Sequence, residues 1–235
     1  MRVDVAFTPA EVKGAVGRRT VVVIDVLRAT STMVEALVNG ARAILPVGGV
    51  DDAVRKAEEI GRDNVLLCGE RGGEAIRGFH LGNSPVEFTR ERVAGKTLVM
   101  TTTNGTNAVL AGAAGSTCLV GSLLNARAVA QRLVELESDA LLLCAGREAH
   151  FALEDAICAG RIARMLRELA GAVSGNDALH AALRLSRSAP SARTLARTEG
   201  GRLLESIGRR EDIVFCARED RYDVVPVLDE HRIRL

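Results

Sequence analysis

Residues 21–32 read VVVIDVLRATST. Four β-branched residues make a short, wholly apolar run with the character of a buried strand. The run stops at Asp25, and Arg28 and three hydroxyls then lead toward MVEAL, a helical pattern. A strand that ends in an acid and passes within a few residues into a helix is the basic step of an α/β fold. An isolated carboxylate buried at such a place costs many kcal/mol unless something pairs with it. Asp25 therefore needs a partner: a cap, a cation or a ligand.

The same alternation extends over most of the chain. Strand-like pieces are VDVAF (3–7), TVVVID (20–25), AILPV (43–47), NVLLCG (64–69), KTLVMTT (96–102), STCLVG (116–121), ALLLCAG (140–146), IVFCA (213–217) and DVVPVL (223–228). Helical patterns lie between them. Residues 32–39 carry a capping-box pair, Thr32 with Glu35, and stop at Asn39-Gly40. Residues 51–60 place Ala53, Val54, Ala57 and Ile60 on one face, and residues 126–137 and 153–170 continue the pattern. Strands this uniformly apolar are covered on both faces, so the expected architecture is a three-layer α/β/α fold with a largely parallel or mixed sheet. The whole chain, 1–235, reads as one domain. From residue 174 it turns to short helices and the polar connection SRSAPSARTLARTEGG, a C-terminal elaboration that is either a subdomain or an edge of the same sheet.

Composition excludes several functions. Of 235 residues 47% are hydrophobic and 26% charged, which suits a large core and argues against disorder. The net charge is +1 with dispersed basic residues, so no concentrated basic face is available for nucleic acid. With no Trp, one Tyr and five Phe, a base-stacking platform is equally absent. No apolar stretch approaches the length of a membrane span, and MRVDVAFTPAEV lacks a signal-peptide core, which gives a cytoplasmic expectation. The five cysteines contain no CxxC and sit among apolar neighbours, as buried small hydrophobes do. Helix faces rich in Ala and Leu leave room for a homodimer.

Polar groups gather at strand ends, where ligands of open α/β sheets sit. They comprise Asp25 with Arg28; Glu70-Arg71-Gly72-Gly73; Asn83 in a loop; Thr101, Thr102, Thr103, Asn104, Gly105 and Thr106; and Arg147 followed by Glu154-Asp155. Asp25, Glu70, Glu154 and Asp155 are hard oxygen donors without a His–Cys cluster, a set suited to Mg²⁺ rather than zinc. Glycines, threonines and helix starts donate to anionic oxygens, and Arg28, Arg71 and Arg147 add bidentate contacts. Each feature also has an ordinary explanation: Asp25 as a cap or a partner of Arg28, Glu70-Arg71 as a surface pair, and one of Glu154 and Asp155 as a helix-dipole partner. The joint arrangement carries the functional case.

The motifs VVVIDVLRATSTMVEAL, CGERGG, GFHLGNSPVEF, TTTNGTNAV and CAGREAHFALEDAICAG, in this order, resemble the 2-phosphosulfolactate phosphatase family, as do the ends VDVAFTPAEV and YDVVPVL. The resemblance spans nearly the whole chain. It implies a Mg²⁺-dependent hydrolase converting (2R)-2-phospho-3-sulfolactate to sulfolactate and phosphate, a step of coenzyme M biosynthesis. The open alternatives are a phosphatase for another phosphorylated hydroxy acid and a non-catalytic anion-binding protein. The chain departs from the family pattern at Ala149-His150, where a glycine is usual, and at His80. An Ala149 forced to positive φ would be strained.

Phosphate-monoester hydrolysis needs accelerations up to about 10²¹, far beyond any single acid or base. Asp25, Glu70 and Glu154 or Asp155 are expected to hold Mg²⁺. Arg28, Asn104 and the donors of residues 102–106 are expected on the phosphoryl group, with Arg71, Asn83 or Arg147 on carboxylate and sulfonate. Covalent catalysis by Asp25 would normally use a D-x-D pair, and here Leu27 fills the third position, which favours direct attack by water.

Overall fold

The strand Thr20–Ile24 is buried at all five positions and lies between two parallel neighbours. A computed structural model describes residues 1–12, 16–61 and 64–235. Its elements begin β1 (Val3–Ala6), β2 (Thr20–Ile24), α1 (Ala29–Val38), β3 (Ala43–Pro46), α2 (Val50–Ile60), β4 (Val65–Arg71) and β5 (Glu74–Ala75). They continue with α3 (Arg90–Val93), β6 (Thr97–Thr101), α4 (Gly105–Gly112), β7 (Thr117–Gly121), α5 (Ala126–Glu135), β8 (Ala140–Cys144) and α6 (Leu153–Ala170). The C-terminal part holds α7 (Asp177–Leu185), α8 (Ala192–Ala196), α9 (Glu199–Ser206), α10 (Arg210–Cys216), β9 (Val227–Asp229) and β10 (Arg232–Arg234).

One ten-stranded sheet runs in the order β1-β8-β2-β7-β9-β10-β3-β6-β4-β5. Two parallel sets, β1-β8-β2-β7 and β3-β6-β4, are joined by the antiparallel hairpin β9–β10. Successive strand residues face opposite layers, as the pleat requires. Val22, Ile24, Leu119, Leu142 and Cys144 pack against α5, α6 and α7. Val21, Val23, Val120, Leu141 and Leu143 pack on the other side, against α1 and α4. Helix α2 covers Leu45, Val65 and Val99. The expected α/β architecture with a mixed, mostly parallel sheet flanked by helices is thus observed.

Four local expectations differ from the structure. IVFCA is not a strand but the end of α10, with Ile213 and Cys216 in one core cluster and Phe215 in the other, while Val214 is exposed. A short apolar run is ambiguous between strand and helix, and burial at i and i+3 decides here. Only the last residues of DVVPVL enter a strand. Thr32 does not cap a helix, because α1 already begins at Ala29; its hydroxyl donates instead to the Asn83 carbonyl at 2.9 Å. On α2 only Ala53 and Ala57 are buried, whereas Val54 and Ile60 are exposed.

The C-terminal strands lie neither in a subdomain nor at an edge. They fill the middle of the sheet, with β9 on β7 and β10 on β3. Their connecting residues Glu230 and His231 both have φ in the left-handed region, as two-residue hairpins of the primed type require. All five cysteines are buried free thiols. Among the described residues no helix is long and apolar enough to cross a membrane.

Candidate active site

The carboxyl ends of β2 and β8 from one parallel set and of β4 and β6 from the other open onto a single cleft. Its lining includes Asp25 and Arg28 after β2, Glu70 and Gly73 on the β4–β5 hairpin, and Asn83 from the following loop. Thr103 and Asn104 enter before α4, Gly146 to Glu148 after β8, Glu154 and Asp155 at the start of α6, and Gly200, Leu203 and Leu204 from α9. Five lining residues carry carboxylates and two carry guanidiniums.

Asp25 is 7% exposed. Its Oδ1 accepts the Ala29 N–H at 3.2 Å, and the Thr30 hydroxyl braces its backbone. Gly105 faces it so closely that a Cβ would stand 2.6 Å from Oδ2 and 2.4 Å from the Ala29 Cβ, so α4 can begin here only with glycine. Burial pushes the Asp25 carboxyl up to about 7, helped by Glu70 and Glu154 and opposed by the Ala29 N–H and Arg28. Asp155 is raised well above its usual value, first by burial and then by Asp25 and Glu154. Glu154 is also raised by burial, while its own backbone N–H, Thr198 and Arg147 favour the ionised form. Three buried carboxylates, all raised first by burial and two of them further by their acidic neighbours in the cleft, mark a site short of positive charge.

The other candidates divide clearly. Glu70 spans two turns, with Oε1 accepting the Thr103 N–H and Oε2 the Gly73 N–H, both at 2.8 Å. Asp155 accepts the N–H groups of Val26 (2.8 Å) and Gly146 (3.2 Å) through its two oxygens. Asn104 Oδ1 accepts the Glu148 N–H at 2.9 Å and so anchors the β8–α6 loop. The structure does not bring Arg71, Thr102 or Thr106 to the cleft. Arg71 turns onto the Glu70 carbonyl and the Thr101 hydroxyl, and Thr102 and Thr106 bond each other across the start of α4. Among the described residues two buried side-chain polar atoms have no partner, Oδ1 of Asn83 and Oγ1 of Thr103, and both residues line the cleft. Unpaired buried polar atoms are rare in native proteins and call for a partner.

Among the described residues no three His, Cys, Asp or Glu side chains form a group that could hold an ion by themselves. Of the four expected ligands, Glu70 and Asp155 have both oxygens on backbone N–H groups, which leaves Asp25 Oδ2 and Glu154, the latter held by its own backbone N–H and by Thr198. Two carboxylates completed by water and phosphate oxygens is the usual Mg²⁺ arrangement, so these residues fit that ion without a four-carboxylate cage.

Sequence reasoning missed Gly200, Leu203, Leu204 and Asp212. Gly200 packs so tightly on Glu154 that a Cβ would stand 2.2 Å from its Oε1. For Asp212 a signal existed: like Asp25, it abuts an apolar run, Ile213-Val214-Phe215. The β8–α6 loop holds Glu148 at φ 49° and Ala149 at φ 63°. Because left-handed φ costs a residue with a Cβ about 1 kcal/mol, Ala149→Gly is expected to raise the melting temperature by about 2–4 °C. A thermal melt that falls instead would refute the strained conformation.

A mostly parallel sheet, helices on both faces and an acidic cleft at the strand ends define an α/β protein with its polar cleft where ligands of such sheets sit. Which family within that class follows from comparison. A family model described as 2-phosphosulpholactate phosphatase matches residues 6–231, and the chain belongs to that family. It is 42% identical over 228 residues to a probable 2-phosphosulfolactate phosphatase of Thermotoga maritima, covering 96% of this chain and 95% of that one. A protein of the same description from Caldanaerobacter subterraneus is 39% identical over 218 residues, covering 92% and 90%. One from Symbiobacterium thermophilum is 39% identical over 219 residues, covering 92% and 94%.

Proposed function

We propose that this chain hydrolyses a small, highly anionic phosphate monoester with Mg²⁺, the substrate being (2R)-2-phospho-3-sulfolactate and the products sulfolactate and phosphate. One observation carries this reading in a chain of this family: five carboxylates face two guanidiniums in the cleft. A multiply charged anion entering alone would meet a repulsive field; with a divalent cation between it and the acids, the same field becomes a binding site. Asp25 and Glu154 would hold that cation. When bound, Mg²⁺ polarises the phosphoryl group and supports attack by water.

The chain's own groups do the rest. Arg28 neutralises phosphoryl oxygens, and Asn83 Oδ1 and Thr103 Oγ1, both without a partner in the fold, offer polar contacts to a bound molecule. Arg147 also lines the cleft and supplies a second cationic contact for carboxylate or sulfonate. Glu70 keeps the Thr103 turn and the Gly73 turn at a fixed separation.

A phosphate-release assay tests the proposal, run with 2-phosphosulfolactate, phospholactate and phosphoglycerate in Mg²⁺ or in chelator. Release is expected fastest from the sulfonated ester and abolished by chelator. Release from none of the three by folded protein in Mg²⁺ would reject the phosphatase reading. Equal rates in chelator would reject the metal, and preference for an ester without sulfonate would reject the substrate.

A further inference from the structure

Arg28 reaches the cleft with its guanidinium already held from behind. Its Nη1 donates to Asp212 Oδ2 at 2.5 Å and its Nη2 to the Gly73 carbonyl at 2.5 Å. Asp212 Oδ1 in turn accepts the Ser84 hydroxyl at 2.5 Å. Arg28, Asp212 and Ser84 are 4%, 0% and 1% exposed, so the relay is almost wholly buried, with Arg28 alone of the three lining the cleft. A guanidinium has five N–H donors. Two are spent on these contacts, which leaves the others for whatever occupies the cleft that Arg28 lines.

The relay joins segments distant in sequence. Arg28 follows β2, Ser84 precedes a turn containing Pro85, and Asp212 stands in the first turn of α10. The Gly73 turn packs under α9, where Leu203 and Ile207 approach within 3.4 Å of its Cβ direction. Free arginine side chains populate many rotamers, whereas one fixed by a buried carboxylate is ordered before its ligand arrives. A fully buried ion pair is weak evidence for stability, since apolar replacements of similar volume serve as well. Its placement at the cleft points to another use.

We infer that Asp212, itself oriented by Ser84, is a positioning residue that fixes Arg28 for recognition of a phosphoryl group. The inference rests on the phosphate-ester reading above. Asp212 touches no substrate; it acts through Arg28 alone.

The test is a double-mutant cycle read by calorimetric titration with inorganic phosphate in Mg²⁺, with KM and kcat measured beside it. Asp212→Asn keeps the shape and a bond to Ser84 while removing the charge. Phosphate affinity is expected to fall about tenfold and KM to rise in step, and Arg28→Lys combined with Asp212→Asn should be no weaker than Arg28→Lys alone. Additive losses, or phosphate affinity unchanged in Asp212→Asn, would overturn the inference. Should Asp212→Asn not fold, Ser84→Ala decides: an affinity loss of about threefold with an unchanged circular dichroism spectrum supports the relay, and unchanged affinity overturns it. A parent protein that binds phosphate but cleaves no ester defeats the proposed function and leaves the relay standing. A parent that binds no phosphate defeats both.

Discussion

Asp25→Asn is expected to lower turnover by roughly 10²–10³-fold or more while making the protein harder to unfold. The two effects have one cause. Asp25 sits buried beside Glu70 and Glu154, and burial with like charge raises its carboxyl to about 7. An amide at the same place can still accept the Ala29 N–H that Oδ1 now receives. It removes a charge whose desolvation the metal-free fold must bear, so the gain at pH 8 is on the order of 2 kcal/mol. That corresponds to a melting temperature about 4–8 °C higher. Turnover would fall because an amide carries no charge to hold a cation opposite the phosphoryl group. Steady-state kinetics with a thermal melt in chelator measures both. Near-normal turnover with unchanged Mg²⁺ dependence would remove Asp25 from the site, and a lower melting temperature would refute the electrostatic argument.

The second large effect is the pH dependence of the metal-free protein. Asp25 is raised in the fold from 3.8 to about 7, and Glu154 and Asp155 are raised as well. The folded state therefore binds protons more tightly than the unfolded chain. Their contribution to stability is greatest below about 4 and is lost as pH rises through 7. In chelator, the protein should be several kcal/mol more stable at pH 5 than at pH 8, Asp25 alone accounting for at most about 3 kcal/mol. Millimolar Mg²⁺ should restore stability at pH 8 and do little at pH 5, because a cation competes with protons for the same carboxylates. Denaturant melts at the two pH values, with and without the ion, measure this. Stability in chelator that rises between pH 5 and pH 8 would contradict the site as described, and Asp25→Asn should flatten the slope.

The fold was legible wherever local pattern and global role agree. Apolar runs mark β2, β6 and β8 because each is buried along almost its whole length, and the helical period marks α6 because one face of it is buried. The C-terminal hairpin left no such mark. Its Glu230-His231 turn lacks the Asn-Gly or Asp-Gly signal, and β9 and β10 are three residues each. The site was legible in the same measure. Asp25, Glu70 and Glu154 stand out as acids closing or following apolar stretches, and all three meet at the cleft. Arg71, Thr102 and Thr106 carry the right chemistry but spend it on neighbouring backbone and each other.

Residue order alone determined the layered α/β architecture, the edge of the sheet at which polar groups collect, and the oxygen-rich character of that edge. These follow from periodicity and from the cost of burying a charge, which act within a few residues. Only the tertiary structure decided that a terminal hairpin closes the sheet between two parallel sets, and that Asp212 and Ser84 hold Arg28 from behind. Those contacts span 184 and 128 positions of the chain. A bond at such a distance is chosen by how whole layers pack, and no local pattern of side chains encodes it.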